Sequence, residues 1–373
     1  MTQQTCNVAL VGCGQIADAH LQEARKVPGA RLVAVCDRHP ELARQAAARF
    51  AVPGVYDDLG RMLAEAKPDV LHVTTPPHTH LAVAKQALAG GAHVYVEKPF
   101  TTDAAEAEEL LAAAAAHNRL VCVGHDQLFD PAWEECRRRY RRGELGRVVH
   151  VDSVQGYHLD GPFGRAFLEE ADHWVHRLPG GLFQNVMSHA LYRITEFLPD
   201  ERPRVWAHWF GPKGATGVPT ELRVMLRGEQ TSAALVFTSA ARPAQRVARV
   251  YGERGALEVD LDGRVVRGLR APGLPGPFGK LDVPVRQAVE AMRTAARNAW
   301  RFVRSDLHYF AGMNRLFRLF YRAVAEGGPP PIPYAEIRRV TAILDAVFAD
   351  CRRNAGADAC GSEVGEPAGG VFA

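Results

Sequence analysis

Between residues 7 and 124, short apolar runs alternate with segments whose apolar residues recur every three or four positions. That alternation is the signature of successive βαβ units and a parallel sheet. Asn7–Val11 predicts a first strand, after which Ile16, His20, Leu21, Ala24 and Val27 share a helical face. Arg31–Cys36 predicts a second strand, followed by a helix carrying Leu42, Ala46 and Phe50. Val70–Thr74, His93–Val96 and Leu120–Val123 read as further buried strands, each preceded by a helical segment.

Beyond residue 124 the pattern changes. Pro131–Arg142 predicts a helix, Arg147–Tyr157 a strand, and Leu159–Pro179 an irregular stretch rich in Gly, Pro and His. Helical spacing returns over Gly181–Leu198. Strand-like runs then follow one another at Val205–Phe210, Glu221–Leu226, Ser232–Thr238, Val247–Tyr251 and Ala256–Val259, which predicts an antiparallel or mixed sheet. Residues 271–280 (APGLPGPFGK) have loop composition, helices close the chain, and the Gly/Ala/Glu-rich tail is expected to be disordered. The expected division is a dinucleotide-binding domain over 1–124, a substrate-binding and oligomerisation domain over 125–354, and a tail over 355–373.

The chain has 373 residues, 47% hydrophobic and 23% charged, enough apolar surface for two domains that each bury a core. A net charge of +3 demands no polyanionic partner. Residues 1–124 hold 11 basic against 13 acidic side chains and the remainder 34 against 29, so any basic surface lies in the C-terminal part. Seven cysteines form no CxxC pair and fit reduced thiols. No run approaches the ~20 apolar residues of a membrane span. The N-terminus shows no secretory pattern, so a cytoplasmic protein is expected.

Gly12-Cys13-Gly14-Gln15-Ile16-Ala17 follows the first predicted strand and opens the first helix. This is the dinucleotide-binding fingerprint with Ala in the third glycine position. Gly12 makes the tight turn, Gly14 lets a pyrophosphate approach the backbone, and the helix N-terminus offers its N–H groups. Asp37, at the end of the second strand, is placed to accept hydrogen bonds from ribose hydroxyls, which favours NAD. Arg38 either faces a 2′-phosphate, which would admit NADP, or is a solvated helix-start residue.

Tyr95-Val96-Glu97-Lys98-Pro99 ends a buried strand, so Glu97 and Lys98 point into the cofactor crevice. With six lysines against 39 arginines, a Lys there stands out; it can donate a proton or polarise a carbonyl, or else form a structural ion pair. Together, GCGQIA, TPPHTH (75–80), VEKP (96–99), VGHDQLFDPA (123–132) and GGLFQNVMSHAL (180–191) resemble the glucose–fructose oxidoreductase / inositol dehydrogenase / rhizopine catabolism (Gfo/Idh/MocA) family, from residue 7 to about 353.

The resemblance implies an N-terminal Rossmann doubly wound parallel sheet plus a C-terminal α/β domain with a large open mixed sheet, whose outer face often makes an oligomer contact. It also implies NAD(P)-dependent oxidation or reduction of a carbinol or ketone on a sugar, cyclitol or nucleotide sugar. Lys98 would hydrogen-bond the reacting oxygen and His189 would exchange the hydroxyl proton, while Thr75, Pro76 and His80 match a loop lining the cofactor. A histidine suits proton exchange near neutral pH, and Asn185 lies four residues before His189 on the same helical face. Asn185, His125, Trp174 and His176 are assigned to the substrate side.

Two departures stand out: Asn185 occupies a position where many family dehydrogenases carry Asp, and Leu128 falls where a basic residue is usual. Redox-assisted elimination or glycoside cleavage without net redox change is therefore carried as an alternative, as is a non-catalytic nucleotide-sensing scaffold. His173, His176 and His189 make a metal site conceivable, but the expected chemistry needs no ion, and no metal is expected. Finally, Pro284–Arg304 carries an apolar stripe (Val285, Val289, Met292, Ala296, Ala299, Trp300, Val303) beside Arg286, Arg293, Arg297, Arg301 and Arg304. Such a helix packs its stripe on its own domain or a second subunit, or contacts an acidic partner or a membrane surface. No nucleic-acid-binding module accompanies it.

Overall fold

The structure, a computed structural model, describes residues 5–211, 218–304 and 308–361. Its first sheet has six strands in the order β3-β2-β1-β4-β5-β6 and is parallel throughout. The strands are β1 (Cys6–Val11), β2 (Ala30–Cys36), β3 (Gly54–Tyr56), β4 (Val70–Val73), β5 (His93–Val96) and β6 (Val121–Val123). Helices α1 (Ala17–Arg25), α2 (Pro40–Phe50), α3 (Leu59–Ala66), α4 (His80–Ala89) and α5 (Ala104–Ala116) make the crossovers. Both faces are covered, so β4 and β6 are buried at every residue, and apart from His72 in β4 they are apolar throughout. The side chains of Asp58 and Asp103 cap α3 and α5, accepting from the Arg61 and Glu106 amides at 2.7 and 2.8 Å. At three residues and partly exposed, β3 is too short for the hydrophobic pattern to reveal.

The second sheet is mixed, with seven strands in the order β13-β12-β11-β7-β10-β9-β8. These are β7 (Val148–Gly156), β8 (Arg204–Phe210), β9 (Glu221–Arg227), β10 (Ser232–Thr238), β11 (Arg246–Gly252), β12 (Gly255–Asp260) and β13 (Val265–Leu269). β7 pairs parallel with β10 and antiparallel with β11. One face is packed and the other open, so side chains alternate. Along β9, Leu222, Val224 and Leu226 are buried while Met225 is 60% exposed, opposite Trp206.

The remaining helices are α6 (Pro131–Arg141), α7 (Pro162–Glu169), α8 (Gly181–Val186), α9 (Ser188–Thr195), α10 (Gly279–Val303), α11 (Ala311–Glu326) and α12 (Tyr334–Gly361). α6 and α9 lie on the second sheet, α11 packs on α1, and α12 touches both β8 and α5. The Tyr334 hydroxyl accepts from the Val121 amide at 3.1 Å, tying α12 to β6.

Four expectations change. The stretch 159–179 contains α7, where Pro162 sits at the first helical position and Phe167 turns inward. The loop over 271–280 ends early, because α10 begins at Gly279 and takes Pro284 into its interior. The tail expected from 355 is helical as far as Gly361, in line with its high alanine content; the rest of it, 362–373, lies outside the described residues. The apolar stripe of α10 does not pack on its own domain: Val285, Met292, Trp300 and Val303 are 57–74% exposed. No helix among the described residues is long and apolar enough to cross a membrane.

Candidate active site

The nucleotide end of the site is built where β1 meets α1. Gly12 has φ +95°, and a Cβ there would stand 2.6 Å from the Thr75 amide nitrogen, so only glycine lets this turn pack against the loop after β4. The Thr74 hydroxyl locks the two loops together, donating to the carbonyls of Val11 and Gly12 at 2.9 and 2.7 Å. A Cβ on Gly14, by contrast, would meet nothing within 4 Å. Among the described residues, the amides of Gly14, Gln15 and Ile16 donate to no protein acceptor, and Gly14 and Gln15 are exposed. Three free N–H groups at a helix start over open space form a cradle for a diphosphate.

Asp37 is turned inward at the end of β2. Its Oδ2 accepts from the Cys13 amide at 2.7 Å and its Oδ1 from the His39 amide at 2.8 Å, leaving each oxygen acceptor capacity for a ribose hydroxyl. Arg38 is exposed and its Nε donates to His39. These residues fit a dinucleotide with a free ribose diol. Thr75 and Pro76 are half-buried on the same side of the sheet. His80 stands behind them: it is buried, with Nε2 2.8 Å from the Thr75 carbonyl and Nδ1 3.0 Å from that of Pro99, so it pins the two loops together.

Lys98 lies just past the C-terminal end of β5. Its Nζ donates to the Asn185 backbone carbonyl at 2.9 Å and approaches Oδ1 of the same residue at 3.4 Å. Burial pushes the Lys98 ammonium down from the usual lysine range, against the opposing charges of Glu97 and Asp126. Glu97 is buried beside it. Its Oε1 meets His20 Nε2 at 2.9 Å and its Oε2 accepts from the Lys98 amide at 3.1 Å. Burial raises the Glu97 carboxyl, but the hydrogen bond and charge of His20, with Lys98, outweigh it and hold the group below the ordinary glutamate range. Behind it runs a buried polar chain, His20 Nδ1 to His72 Nδ1 at 2.9 Å and His72 Nε2 to the Tyr321 hydroxyl at 2.8 Å.

Asn185 and His189 fall on separate short helices, α8 and α9, which meet at Met187. Gly180, just before α8, sits so close to Phe348 that a Cβ would stand 2.2 Å from the ring. That contact seats α8 on α12. His189 Nδ1 lies 2.6 Å from the Tyr192 hydroxyl, which accepts from the Gln127 amide at 3.2 Å and donates to Asp126 Oδ1 at 3.4 Å. With the Tyr192 hydroxyl donating to Asp126, the proton is assigned to Nδ1 of His189, and Nε2 has no hydrogen-bond partner among the described residues. Burial, followed by the charges of Lys98 and Arg193, holds His189 well below the usual imidazole range, so it is neutral.

Asp126 and Tyr192 complete this cluster, and neither is among the site residues that the sequence predicts. Burial, reinforced by Glu97, pushes the Asp126 carboxyl up to about 7. Nothing in a single sequence links position 126 to position 189, although its place directly after His125 in the VGHDQ stretch was a signal. The acid absent at Asn185 is thus supplied from a different element. Leu128 is buried in the core and offers no chemistry. Arg193, fully buried, is hydrogen-bonded only to neutral groups among the described residues (Ser153, Gln127, Gln155 and the Val154 carbonyl), and burial lowers it to about 10.

His125 lies beneath this cluster, its ring 4.4 Å from that of Tyr192 and its Nδ1 without a partner among the described residues; burial lowers it to about 3. Trp174 and His176 join a separate aromatic group instead. His176 stacks on Phe167 and bonds its carbonyl, while Trp174 packs on Phe163 and His173. Among the described residues no group of three or more His, Cys, Asp or Glu side chains is placed to hold a metal ion.

A dinucleotide cradle at the end of β1, a lysine just past β5 and a neutral histidine linked to an acid just past β6 are the groups that a nucleotide-dependent redox site requires. Residues 6–125 match the family model described as the Gfo/Idh/MocA oxidoreductase family, NAD-binding Rossmann fold, and residues 133–258 match the Gfo/Idh/MocA C-terminal domain. The chain belongs to this family.

An inositol 2-dehydrogenase from Gluconacetobacter diazotrophicus is 32% identical over 178 residues, 47% of this chain and 52% of that protein. A D-apiose dehydrogenase from Paraburkholderia graminis is 30% identical over 138 residues, 37% of each chain. The chain spans about half or less of the length of these curated relatives. Among solved structures, a levoglucosan dehydrogenase in complex with NADH and levoglucosan superposes with a TM-score of 0.77 at 19% identity, covering 94% of this chain and 98% of the other. The WlbA dehydrogenase from Bordetella pertussis, in complex with NADH and UDP-GlcNAcA, gives 0.76 at 19% identity, covering 95% and 97%. At that identity the likeness speaks for the fold.

Proposed function

We propose that this protein is an NAD-dependent dehydrogenase that interconverts a carbinol and a ketone on a sugar- or cyclitol-like substrate. The observation that carries the reading is the meeting of Lys98 with the His189–Tyr192–Asp126 relay at the C-terminal ends of the parallel strands. Residues 1–124 hold the nucleotide, and 125–354 supply the substrate side. Gly12, Gly14, Gln15, Ile16 and Asp37 would hold the dinucleotide, which when bound supplies the hydride acceptor or donor at its nicotinamide ring.

The chain's own side chains handle the proton and the charge. The Lys98 ammonium exchanges its hydrogen bond with Asn185 for one to the reacting oxygen, stabilising negative charge as the carbon is oxidised. Neutral His189 accepts the hydroxyl proton at Nε2. The imidazolium so formed is stabilised through Tyr192 by Asp126, whose carboxyl titrates near neutrality. Because this acid is present, the Asn185 departure favours no reaction other than simple oxidation or reduction. The relatives named for inositol and apiose oxidation support a polyhydroxylated substrate. Six buried cysteines without disulfides support a reducing, cytoplasmic setting, and exposed Trp206 and Met225 on the open sheet face support assembly with further copies.

The test is a fluorescence titration with NADH and NADPH, followed by a panel of sugars and cyclitols scored for NADH formation. Tight NADH binding with substrate-dependent reduction of NAD, lost in Lys98→Met, is expected. Turnover without NADH accumulation, or a folded protein that binds neither nucleotide, would overturn the reading.

A further inference from the structure

The helix α10 is amphipathic in an inverted sense. It lies along β13, the edge strand of the second sheet, and presents polar side chains to it. Glu290 Oε2 accepts from the Gly268 amide at 2.8 Å, Asn298 Nδ2 donates to the Arg264 carbonyl at 3.2 Å, and Thr294 between them is buried. These bonds satisfy backbone groups that an uncovered edge would leave open to another chain. With its polar side committed to the edge, α10 turns its apolar side to solvent. Leu281, Val285, Met292 and Val303 recur at helical spacing on that outer side, with Phe278 just before the helix and Phe302 near its end, and all six are 58–74% exposed.

The charge around this face is one-sided. From Phe278 to Arg304 there are six basic and two acidic residues. Both acids are already engaged, Asp282 with Arg286 and Glu290 with Arg139. Lys280, Arg293, Arg297, Arg301 and Arg304 have no carboxylate partner among the described residues. The Arg304 guanidinium lies 4.5 Å over the ring of Trp300, itself exposed. Beside the helix a groove of about 650 Å³ runs between α10 and β13, lined by Arg139, Arg270, Arg286 and Arg293 with Val285 and Val289.

We propose that α10 is a peripheral membrane-binding element that seats this protein on an anionic lipid surface, its apolar side entering the acyl boundary and its arginines meeting the headgroup phosphates. Charge complementarity selects this occupant. A second copy would bring another net-positive helix against the first, whereas an anionic bilayer offers both apolar depth and negative charge. An exposed apolar face flanked by arginines and holding a Trp matches the composition of helices that lie in the interfacial plane.

The experiment is vesicle flotation of the full-length protein. One set of vesicles is phosphatidylcholine alone and the other contains about 30 mol% phosphatidylglycerol. Binding to the anionic vesicles is expected, falling at least about tenfold when salt is raised and screening shortens. Met292→Glu and Phe302→Glu, each on the solvent side of the helix, should reduce binding at least about tenfold while leaving NADH affinity unchanged. Failure of the wild-type protein to bind anionic vesicles, or equal binding of wild type and both variants, overturns the proposal. Loss of a dimer or tetramer in Phe302→Glu by sedimentation, with no vesicle binding by wild type, would assign the face to a second copy instead.

Discussion

Asp126 Oδ1 stands 3.8 Å from His189 Nδ1, with the Tyr192 hydroxyl bonded between them. The two residues are 63 positions apart and come from different elements, the turn after β6 and the helix α9. Their meeting turns an isolated imidazole into a proton-handling pair, and it sets the first prediction. Wild-type kcat/KM for oxidation should show an ionisation near 7 that disappears in Asp126→Asn, with turnover lowered by about 10²-fold, the lower range for loss of acid–base assistance. A pH–rate profile of both proteins checks it.

The same carboxyl makes a stability prediction of definite sign. Its folded value of about 7 lies above the unfolded value, so the folded state holds the extra proton. The stabilisation this gives is complete below the unfolded pKa and is lost as pH rises through 7. Relative to wild type, Asp126→Asn should therefore gain thermal stability between pH 4 and pH 8, then level off. Melting curves of the two proteins across that range measure the difference directly.

Lys98→Met should lower kcat/KM by about 10²–10³-fold, the range for removing one donor from a developing oxyanion, while NADH affinity stays within about threefold. Lys98→Arg should not restore activity, because a planar guanidinium cannot take the place of a compact ammonium seated between the two oxygens of Asn185 at 2.9 and 3.4 Å. Steady-state kinetics beside an NADH titration separates the two effects.

The two glycines of the fingerprint should fail differently. Gly12→Ala places a Cβ 2.6 Å from the Thr75 amide nitrogen at φ +95° and should destabilise the fold by about 1–3 kcal/mol. Gly14→Ala meets no protein atom within 4 Å, so its melting temperature should hold while NADH affinity falls about tenfold or more through the space a diphosphate needs. Calorimetry and nucleotide titration of both variants distinguish fold from site.

His20→Phe removes the hydrogen bond to buried Glu97 at 2.9 Å and should cost about 2–3 kcal/mol. Tyr321→Phe, at the far end of the same chain, removes one hydrogen bond to His72 and should cost about 1 kcal/mol. Chemical denaturation of the two variants tests whether the Glu97 end of the chain carries more of the stability.

What could be read directly from the sequence was local and periodic. The alternation of apolar runs with helical spacing specified the parallel sheet, because strands buried on both faces are apolar at nearly every position, a polar residue such as His72 needing its own buried partners. The GCGQIA turn and Asp37 were legible because the motif, its strand and its helix are contiguous. Lys98 stood out by composition and His189 by resemblance.

What only the tertiary structure decided depends on contacts between distant positions, which no periodicity encodes. Asp126 reaches His189 only once α9 lies beside the turn after β6. His80 pins two loops from behind, and Trp174 and His176 belong to another cluster, although their side-chain chemistry alone suited the crevice equally well. The sequence determined that α10 has a polar and an apolar side. Folding decided which side faces out, because the backbone groups of β13 needed the polar one.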